Sequence, residues 1–360
     1  MIVKDEEKVI ERALRSVLRT VDTWCIVDTG STDNTKEIIQ KVANEFGKPG
    51  HLYERPWVNF GHNRSEALTL AKKHMKWCLM IDADDTLEGD LIDSTKLNNK
   101  LAVYSIRIKH NTLVHDRLQL FNTAFNWHYR GAVHEYPDCR TKPWTSELFS
   151  TSTWIQARTE GSRSNDTQKY QKDALMLLEE LKKSDCDKAR TLFYLAQSFR
   201  DSYNKEQAAK YYQQRIDLPD SWVEERYVSY LNLIRLTDSI EEKIKYAWKA
   251  QNLMPTRKEC VGEVLHCARL SDVFTQELYS MGLVFKNVTL PERGLFLEPH
   301  LYGWMYDEDF GLESYFTNHF QDAYDSLKLS YKHCPDWAKE IMKNNMRMAL
   351  TGLVKTAHGQ

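Results

Sequence analysis

Short apolar stretches alternate with amphipathic stretches over residues 1–110 of this chain. Four stretches read as strands: Ile2-Val3, WCIVD at 24–28, HLYERPW at 51–57 and WCLMIDAD at 77–84. The segments between them have the spacing of amphipathic helices. Strand and helix in this order predict a parallel sheet with helices on its faces, and ligands of such sheets bind at the carboxyl ends of the strands.

Acidic turns follow two of these predicted strands. DTGSTD follows the second strand, and Asp82, Asp84 and Asp85 end the fourth. Carboxylates this close together raise one another's pKa unless a cation or a set of donors joins them. We therefore expect both turns to face one crevice that also holds a positive group.

The order Asp82-Ala83-Asp84 is what a divalent ion bound to a diphosphate would require. Mg²⁺ and Mn²⁺ prefer oxygen ligands and keep positions for phosphate oxygens and water. The alternative interpretation is that Asp84 and Asp85 are turn and cap residues, since D-x-D alone is common. Asp33, in the first acidic turn, is open to two interpretations as well, as a helix N-cap or as an acceptor for the edge of a base.

Two further segments offer charged side chains to the crevice. Arg64 lies at the start of a predicted helix, where it either reaches the crevice or belongs to ordinary capping. His134 and Glu135 are adjacent in GAVHEY on a predicted strand. Side chains alternate across a strand, so we expect only one of the two to face the crevice readily.

Composition excludes several classes of protein. With 49 basic and 51 acidic side chains the net charge is −2, so no overall field attracts nucleic acid or an anionic membrane. The longest apolar run, WCLMI at 77–81, is far shorter than the roughly 20 residues of a membrane span. Seven scattered cysteines without CxxC spacing, and an N-terminus unlike a secretory signal, indicate reduced thiols and a cytoplasmic location.

The chain is long enough for two domains. Residues 102–160 alternate in a strand-like way and predict a mixed extension of the sheet. From residue 164 the pattern is helical, and residues 192–220 have tetratricopeptide-like spacing, with Arg215 at a position that usually holds a small residue. A second such segment places Gly311, Ala323 and Pro335 at the same offsets.

Five motifs, in order, resemble those of the family 2 glycosyltransferases: MIVKDEEKVIERALRSV, CIVDTGSTDNT, RPWVNFGHNRSEAL, LMIDADD and RLQLFNTAFNWHYRGAVHEY. The helical part is similar to the repeat regions that follow the catalytic domain in some of these enzymes. The resemblance implies an α/β GT-A (Rossmann-like) nucleotide-sugar-binding domain over residues 1–163. It also implies an all-α, tetratricopeptide-like domain over residues 164–360.

The resemblance further implies metal-dependent, inverting transfer of a sugar from a nucleotide-sugar donor, expected to be a UDP-hexose, to a glycan or protein acceptor. The cofactor would be Mn²⁺ or Mg²⁺, which would neutralise the departing UDP as a Lewis acid does. Carried over by motif, the donor-binding residues would be Val3, Glu6, Asp33, Arg64 and Asp82; the metal ligands Asp84 and Asp82; and the base Glu135, with His134 as the second choice for base or as an extra metal ligand.

Two details after the last predicted strand bear on this assignment. Ala157 stands where a late histidine would be expected, so a third protein ligand for the ion is expected to be absent. Arg163, Lys169 and Lys172 then offer diphosphate contacts, or else belong to a solvated linker.

Other functions remain open at this stage. A glycoside hydrolase would also use paired carboxylates, but from separate strands and without a nucleotide motif. A nucleotidyltransferase would need a Gly-rich basic loop after the first strand, and none is evident. A repeat scaffold with an inactive transferase-like domain would not need Asp82-Ala83-Asp84. A homodimer is possible. Five aromatic residues of the tail would either belong to its core or bind an acceptor or a second copy of the chain: Tyr194, Tyr211, Trp222, Tyr227 and Tyr230.

Overall fold

The computed structural model describes residues 1–111, 113–219 and 222–358, apart from the side chain of Asn165. It divides into two compact units, Met1–Asp187 and Lys188–Gln360. This division falls later than the boundary predicted after residue 163, because helix α4 (Lys169–Glu180) lies in the first unit. The predicted order, an α/β domain followed by a helical one, is confirmed.

The first three strands form the predicted parallel sheet. Strand β2 (Trp24–Asp28) lies between β1 (Ile2–Val3) and β3 (Gly50–Glu54) and pairs in parallel with both. Every residue of β2 is buried, as expected for a strand covered on both faces. The helices that connect these strands to each other and to the next strand are α1 (Ile10–Val17), α2 (Thr35–Glu45) and α3 (Phe60–Ala71).

Helices cover both faces of this sheet because β2 is apolar on both. Ile26 packs in one cluster with residues of α1 and α2, such as Leu14 and Ile39. Val27, one residue later and therefore on the opposite face, packs with Leu68 of α3. The parallel sheet is thus the centre of a three-layer domain.

The fourth predicted strand does not join the parallel sheet. Strand β4 is only Trp77–Leu79 and pairs antiparallel with β7. The physical reason is that β7 offers more backbone hydrogen-bonding groups than β1, because β7 has ten residues and β1 has two. Beyond the end of β4, Met80 N still donates to the Gln119 carbonyl of β7 at 2.8 Å. The chain then leaves the sheet, and Asp82, Asp84 and Asp85 lie in a turn before β5.

The remaining strands form the predicted mixed extension. The second sheet has the order β4-β7-β6-β11-β5, with β10 paired to β6, and β8 and β9 form a separate hairpin. Thr112, at the start of one predicted strand, lies outside the described residues. The bounds are β5 Thr86–Gly89, β6 Val103–His110, β7 Leu113–Asn122, β8 Trp127–Arg130, β9 Tyr136–Cys139, β10 Ser146–Leu148 and β11 Thr153–Gln156.

The second unit consists of helices that pack on their neighbours along the chain. Gly311 allows close packing, because a Cβ atom there would lie 2.7 Å from Cγ of Leu327. No helix in the described part of the chain is both long and apolar enough to span a bilayer. The bounds are α5 Lys188–Asp201, α6 Lys205–Ile216, α7 Val223–Leu236, α8 Ile240–Leu253, α9 Glu259–Leu270, α10 Gln276–Phe285, α11 Trp304–Phe316, α12 Phe320–His333 and α13 Lys339–Ala357.

Three of the five aromatic residues singled out in the tail are core. Tyr194, Tyr227 and Tyr230 are at most 8% exposed. Tyr211 is half-buried and stacks on Phe199, while Trp222 is 49% exposed. The three buried rings thus agree with the prediction that most of these residues belong to the core, and only the others have surface left for binding.

Arg215, at a repeat position that usually holds a small residue, forms an ion pair with Glu225 inside the core of the second unit. Its side chain is fully buried, and its Nη2 lies 3.1 Å from Oε2 of Glu225, which is itself 2% exposed. Arg190 approaches the other oxygen of Glu225 at 3.2 Å. One buried carboxylate thus compensates two guanidinium groups.

We predict that Glu225→Gln destabilises the helical unit by about 3–5 kcal/mol, because it removes a buried carboxylate that pairs with the fully buried guanidinium of Arg215. Urea unfolding followed by circular dichroism measures this loss. The exposed Glu206→Gln is the matched control and should change the free energy of unfolding by less than about 0.5 kcal/mol. Equal stability of the two variants would contradict the pairing.

Candidate functional site

A cavity of about 750 Å³ opens at the carboxyl ends of β1 and β2 in the first unit. Asp82 and Asp84 of the second acidic turn line it, whereas the first acidic turn contributes only Thr29, directly after β2, and none of its carboxylates. The start of α3 and residues 161–176 supply further lining. The cavity is of the size that holds a cofactor or a nucleotide.

Arg64 is the charged centre of this site. Its guanidinium lies 2.5 Å from Oδ1 of Asp82 through Nη2 and 2.6 Å from Oε1 of Glu135 through Nε. The side chain is only 9% exposed, so it is largely removed from water. Asn59 caps α3 by accepting from His62 N at 2.8 Å, which fixes the first turn that carries Arg64.

The ion pair with Arg64 determines the protonation of Asp82. Burial by itself would raise the pKa of Asp82, but the charges of Arg64 and Arg117 outweigh it and hold that pKa below its usual value. The two carboxylates in turn raise the pKa of Arg64 despite its burial. Asp82 therefore stays ionised at neutral pH while 32% of its side chain faces the cavity.

The segment that carries His134 and Glu135 is a turn between β8 and β9, so the predicted strand is wrong there. Gly131 has φ +94° and His134 has φ +52°, values that no strand accommodates. The start of α3 packs on this turn: Phe60 N donates to the Ala132 carbonyl at 3.1 Å. A Cβ atom on Gly61 would lie 2.2 Å from the Gly131 carbonyl oxygen.

The consequence of the turn is that His134 and Glu135 have different surroundings. Glu135 is 13% exposed and directed at Arg64, whereas His134 is exposed. Neither residue lines the cavity itself.

Glu6 and Asp84 are joined by the backbone of Gly161 and Ser162. Gly161 N donates to Oδ2 of Asp84 at 3.0 Å, and Ser162 N donates to Oε2 of Glu6 at 3.2 Å. A Cβ atom on Gly161 would lie 3.2–3.3 Å from oxygens of both carboxylates, so only glycine passes between them without strain. Burial raises the pKa of Glu6 to about 7 and also raises that of Asp84.

Asp85, which the sequence indicated only as part of the acidic turn, is buried in a second charged environment. Burial and the neighbouring Asp82 raise its pKa to about 7, and its Oδ1 accepts from Arg158 N at 3.0 Å. It does not line the cavity.

Two predicted donor-binding residues have contrasting positions. Val3 is buried and lines the cavity beside Glu6. Asp33 does not line it; its carboxylate accepts from Thr35 N at 3.0 Å and from Glu7 N at 3.1 Å, which orders the turn before α2. Contact between Asp33 and a base stays a prediction.

Arg163, Lys169 and Lys172 also line the cavity. Arg163 pairs with Asp173 and lies 4.3 Å above the ring of Phe60, and Lys172 lies 2.6 Å from Asp166. Five basic and six acidic side chains line the cavity in all. A polyanion that enters it therefore meets no net positive charge from the protein.

Sequence reasoning missed several lining residues because their role comes from tertiary contact. Lys4 lies in the first motif but was assigned no role there, Asp173 carries no motif, and Gly161 and Ser162 gave no signal beyond their place in a polar segment. Asp173 lies on α4, which the sequence assigned to the helical domain.

The residues present fit a divalent ion at Asp84 and Asp82 only if other ligands complete its shell. Among the described residues, no group of three or more His, Cys, Asp or Glu side chains is arranged to hold a metal. Ala157, at the position expected for a further ligand, donates its N–H to the Lys109 carbonyl. Asp84 nevertheless offers a desolvated carboxylate at the cavity wall, which is the kind of ligand that Mg²⁺ and Mn²⁺ accept.

Comparison with known proteins finds similarity in the part of the chain that carries this site. Residues 1–130 match the family model described as Glycosyl transferase family 2, in agreement with the GT-A fold class expected from the motifs. An uncharacterized glycosyltransferase of Rickettsia bellii is 34% identical over 93 residues, covering 26% of this chain and 29% of that protein. A TPR repeat-containing protein of Synechococcus elongatus is 38% identical over 88 residues, covering 24% of this chain and 20% of that protein. The matches span less than a third of these curated relatives.

Among solved structures, S. aureus TarS 1–349 in complex with UDP-GlcNAc is similar at 14% sequence identity, with a TM-score of 0.39. The similarity covers 76% of this chain and 91% of that one. The TM-score is too low for this likeness to support an inference about function.

The raised pKa of Glu6 predicts a pH dependence of stability. The folded pKa of about 7 lies above the ordinary glutamate pKa of 4.5, so the folded state holds this proton more tightly and loses stability as the pH rises from 4.5 to 7. Glu6→Gln removes the cost of burying the charge, and its melting temperature should exceed that of the wild type by a margin that grows over this range. Calorimetric scans at pH 5, 6, 7 and 8 measure the margin.

Glu37→Gln, on the exposed face of α2, is the matched control and should show the same small difference from the wild type at every pH. A margin for Glu6→Gln that stays flat with pH would contradict the assigned burial of its charge.

Proposed function

We propose that this chain, whose residues 1–130 match glycosyl transferase family 2, transfers a sugar from a nucleotide-sugar donor to an acceptor hydroxyl with inversion at the anomeric carbon. The observation that carries the proposal is the Arg64 ion pair, which joins Asp82 at the cavity to Glu135 beside it. One guanidinium group thus holds two carboxylates close together, one at the cavity and one beside it.

The donor fits the cavity by size and by lining. Trp57 and Phe60 meet edge to face at 4.7 Å between ring centroids and line the same wall. They supply apolar surface for a nucleoside, and Val3 and Glu6 lie at the end of β1 on the same cavity. We propose UDP as the nucleotide, on the family resemblance of the motifs.

The charge of the cavity supports a metal-dependent reaction. A nucleoside diphosphate leaving group carries at least two negative charges into a cavity that is already lined by six acidic and five basic side chains. Mn²⁺ or Mg²⁺, held by Asp84 with Asp82, would neutralise this charge and act as a Lewis acid on the leaving diphosphate. Arg163, Lys169 and Lys172 would contribute to diphosphate binding from the other wall.

Glu135 is our choice for the base that removes the acceptor proton. Its carboxylate lies 2.6 Å from Nε of Arg64, beside the guanidinium group that also pairs with Asp82. An inverting displacement needs a base that takes the acceptor's proton. His134, exposed and next in sequence, is the second choice.

The acceptor is proposed to be a glycan or a protein. Of the five tail aromatic residues singled out in the sequence, Trp222 is the most exposed and would be accessible to an acceptor or to a second copy of the chain. The proposed activity itself is tested without an acceptor: UDP or GDP release from a panel of UDP- and GDP-sugars with Mn²⁺. Release from none of them would contradict the proposal.

We predict that Asp84→Asn abolishes metal-dependent release of the nucleotide, because it removes the charge that would bind the ion while changing almost no volume. Initial rates across a Mn²⁺ titration measure this loss, and circular dichroism checks that the fold is kept. Asp22→Asn, an exposed residue away from the cavity, is the control and should keep wild-type rates. Near wild-type turnover by Asp84→Asn would rule out its role as ligand.

For the base, we predict that Glu135→Gln retains donor binding and loses transfer by roughly 10²-fold or more, the contribution of a positioned general base. Donor binding is measured by calorimetric titration and transfer by product formation. Weakened donor binding with normal turnover would make Glu135 a binding residue instead, and a larger loss in His134→Ala would reverse the two roles.

A further inference from the structure

The last two long helices of the chain carry an excess of basic side chains, although the net charge of the whole chain is only −2. Helices α12 and α13 pack on each other as a hairpin in the second unit. In residues 328–358 the carboxylate side chains are those of Asp336 and Glu340. The lysine and arginine residues of the same range are Lys328, Lys332, Lys339, Lys343, Arg347 and Lys355. The overall charge balance therefore conceals a local positive charge at this hairpin.

One exposed stripe of α13 combines cations with aliphatic side chains. Residues at positions i, i+4, i+7 and i+11 lie on one face of a helix, and α13 has four exposed residues at these positions: Lys343, Arg347, Leu350 and Val354. Leu350 is 48% exposed and Val354 is 50% exposed. A different face of α13 packs on α12, where Ala349 is buried in a cluster with Leu327. The stripe is therefore not used for packing within the hairpin.

Helix α12 borders this stripe with two tyrosines and a further lysine. Nζ of Lys339 lies 4.8 Å from the centre of the Tyr331 ring, at the turn between the two helices. Tyr324 packs with Met346, which lies between the two cations of the stripe in sequence, and Nζ of Lys328 lies 5.9 Å from the centre of its ring. These contacts place both lysines beside the stripe. We call the resulting surface the basic face, which consists of Lys328, Lys339, Lys343, Arg347, Leu350 and Val354.

The charge of the basic face is little compensated by the protein itself. Among the residues that the structure describes, no carboxylate lies within 4.0 Å of the basic groups of Lys328, Lys339 or Arg347. Lys343 lies 3.9 Å from Glu340, but the two side chains are 50% and 72% exposed, and a pair this exposed is weak. The positive charge of the face is therefore available to a partner outside the chain.

From this arrangement we propose that the basic face docks the chain on an anionic lipid bilayer. Lysine and arginine side chains are attracted to the phosphates of an anionic membrane surface, and aliphatic side chains next to them enter the boundary of the acyl chains. Leu350 and Val354 supply this aliphatic contact. Docking of this kind occurs at the surface of the bilayer and needs no spanning helix.

The aliphatic residues and the tyrosines favour a lipid surface over nucleic acid as the partner. Single-stranded nucleic acid also attracts cations, but it gains affinity from aromatic rings on which its bases stack. The rings of Tyr324 and Tyr331 are already in contact with the ammonium groups of Lys328 and Lys339. Exposed leucine and valine offer nothing to a phosphate backbone, whereas a bilayer uses both the charge and the aliphatic surface of the face.

Co-sedimentation of the full chain with lipid vesicles tests the proposal. Vesicles of phosphatidylcholine with phosphatidylglycerol present an anionic surface, and vesicles of phosphatidylcholine alone are the neutral reference. We expect binding to the anionic vesicles only. This binding should be lost at high salt, because salt screens the attraction between exposed charges. The assay measures no sugar transfer, so its result does not depend on the proposed function.

Variants of the stripe separate the two components of the contact. Lys343→Gln combined with Arg347→Gln should weaken binding to the anionic vesicles by roughly 10- to 100-fold, the range expected for two cations at an anionic surface. Lys245→Gln combined with Lys249→Gln removes the same charge at the same spacing from α8, which packs on α7 and α9, and should keep wild-type binding.

Leu350→Ser combined with Val354→Ser should also weaken binding, although it leaves the charge unchanged. Circular dichroism checks that each variant keeps its helical content. Equal binding to both kinds of vesicle would overturn the inference, as would wild-type binding by either stripe variant.

Two further results would assign the basic face to another partner and would also overturn the inference. Tighter binding of the wild type to a single-stranded oligonucleotide than to the anionic vesicles would assign it to nucleic acid. Light scattering that shows a dimer of the wild type and a monomer of the Leu350→Ser, Val354→Ser variant would assign it to a second copy of the chain.

Discussion

The buried guanidinium group of Arg64 is the interaction on which the site depends. A cation removed from water is stable only when it is paired and hydrogen-bonded, and Arg64 finds two carboxylates in segments far apart in sequence. This requirement fixes the start of α3 against the turn before β9 and against the end of β4. The pairing of Arg64, the apolar packing of α3 and the shape of the site therefore depend on one another. A change in any one of them would expose a charged group or separate it from its partner.

The local pattern predicted the first three strands because β2 must be apolar on both faces to lie between helices. It could not predict the partner of β4, since residues 77–79 are equally suited to a parallel or an antiparallel neighbour. The length of β7 decided that pairing, and length is a property of another part of the chain. The domain boundary shows the same limit: α4 has helical periodicity like the tail, but its Asp173 pairs with Arg163 at the cavity.

Among the site residues, the motifs brought Glu6, Arg64, Asp82 and Asp84 to one cavity because they lie at the carboxyl ends of strands or at the start of a helix, where spacing determines position. The periodicity of the sequence could not predict the orientation of Glu135, because this orientation depends on positive φ angles at Gly131 and His134.

The short pairing of β4 has a consequence for self-association. An unpaired strand edge is a template for strand addition by another chain, and here the exposed Leu113 and Val114 would favour it. His115, Asp116 and Arg117 follow directly, and charged side chains on an edge oppose such pairing because a second strand would have to desolvate them. The exposed edge of this hairpin thus carries both apolar residues that favour strand addition and charged residues that oppose it.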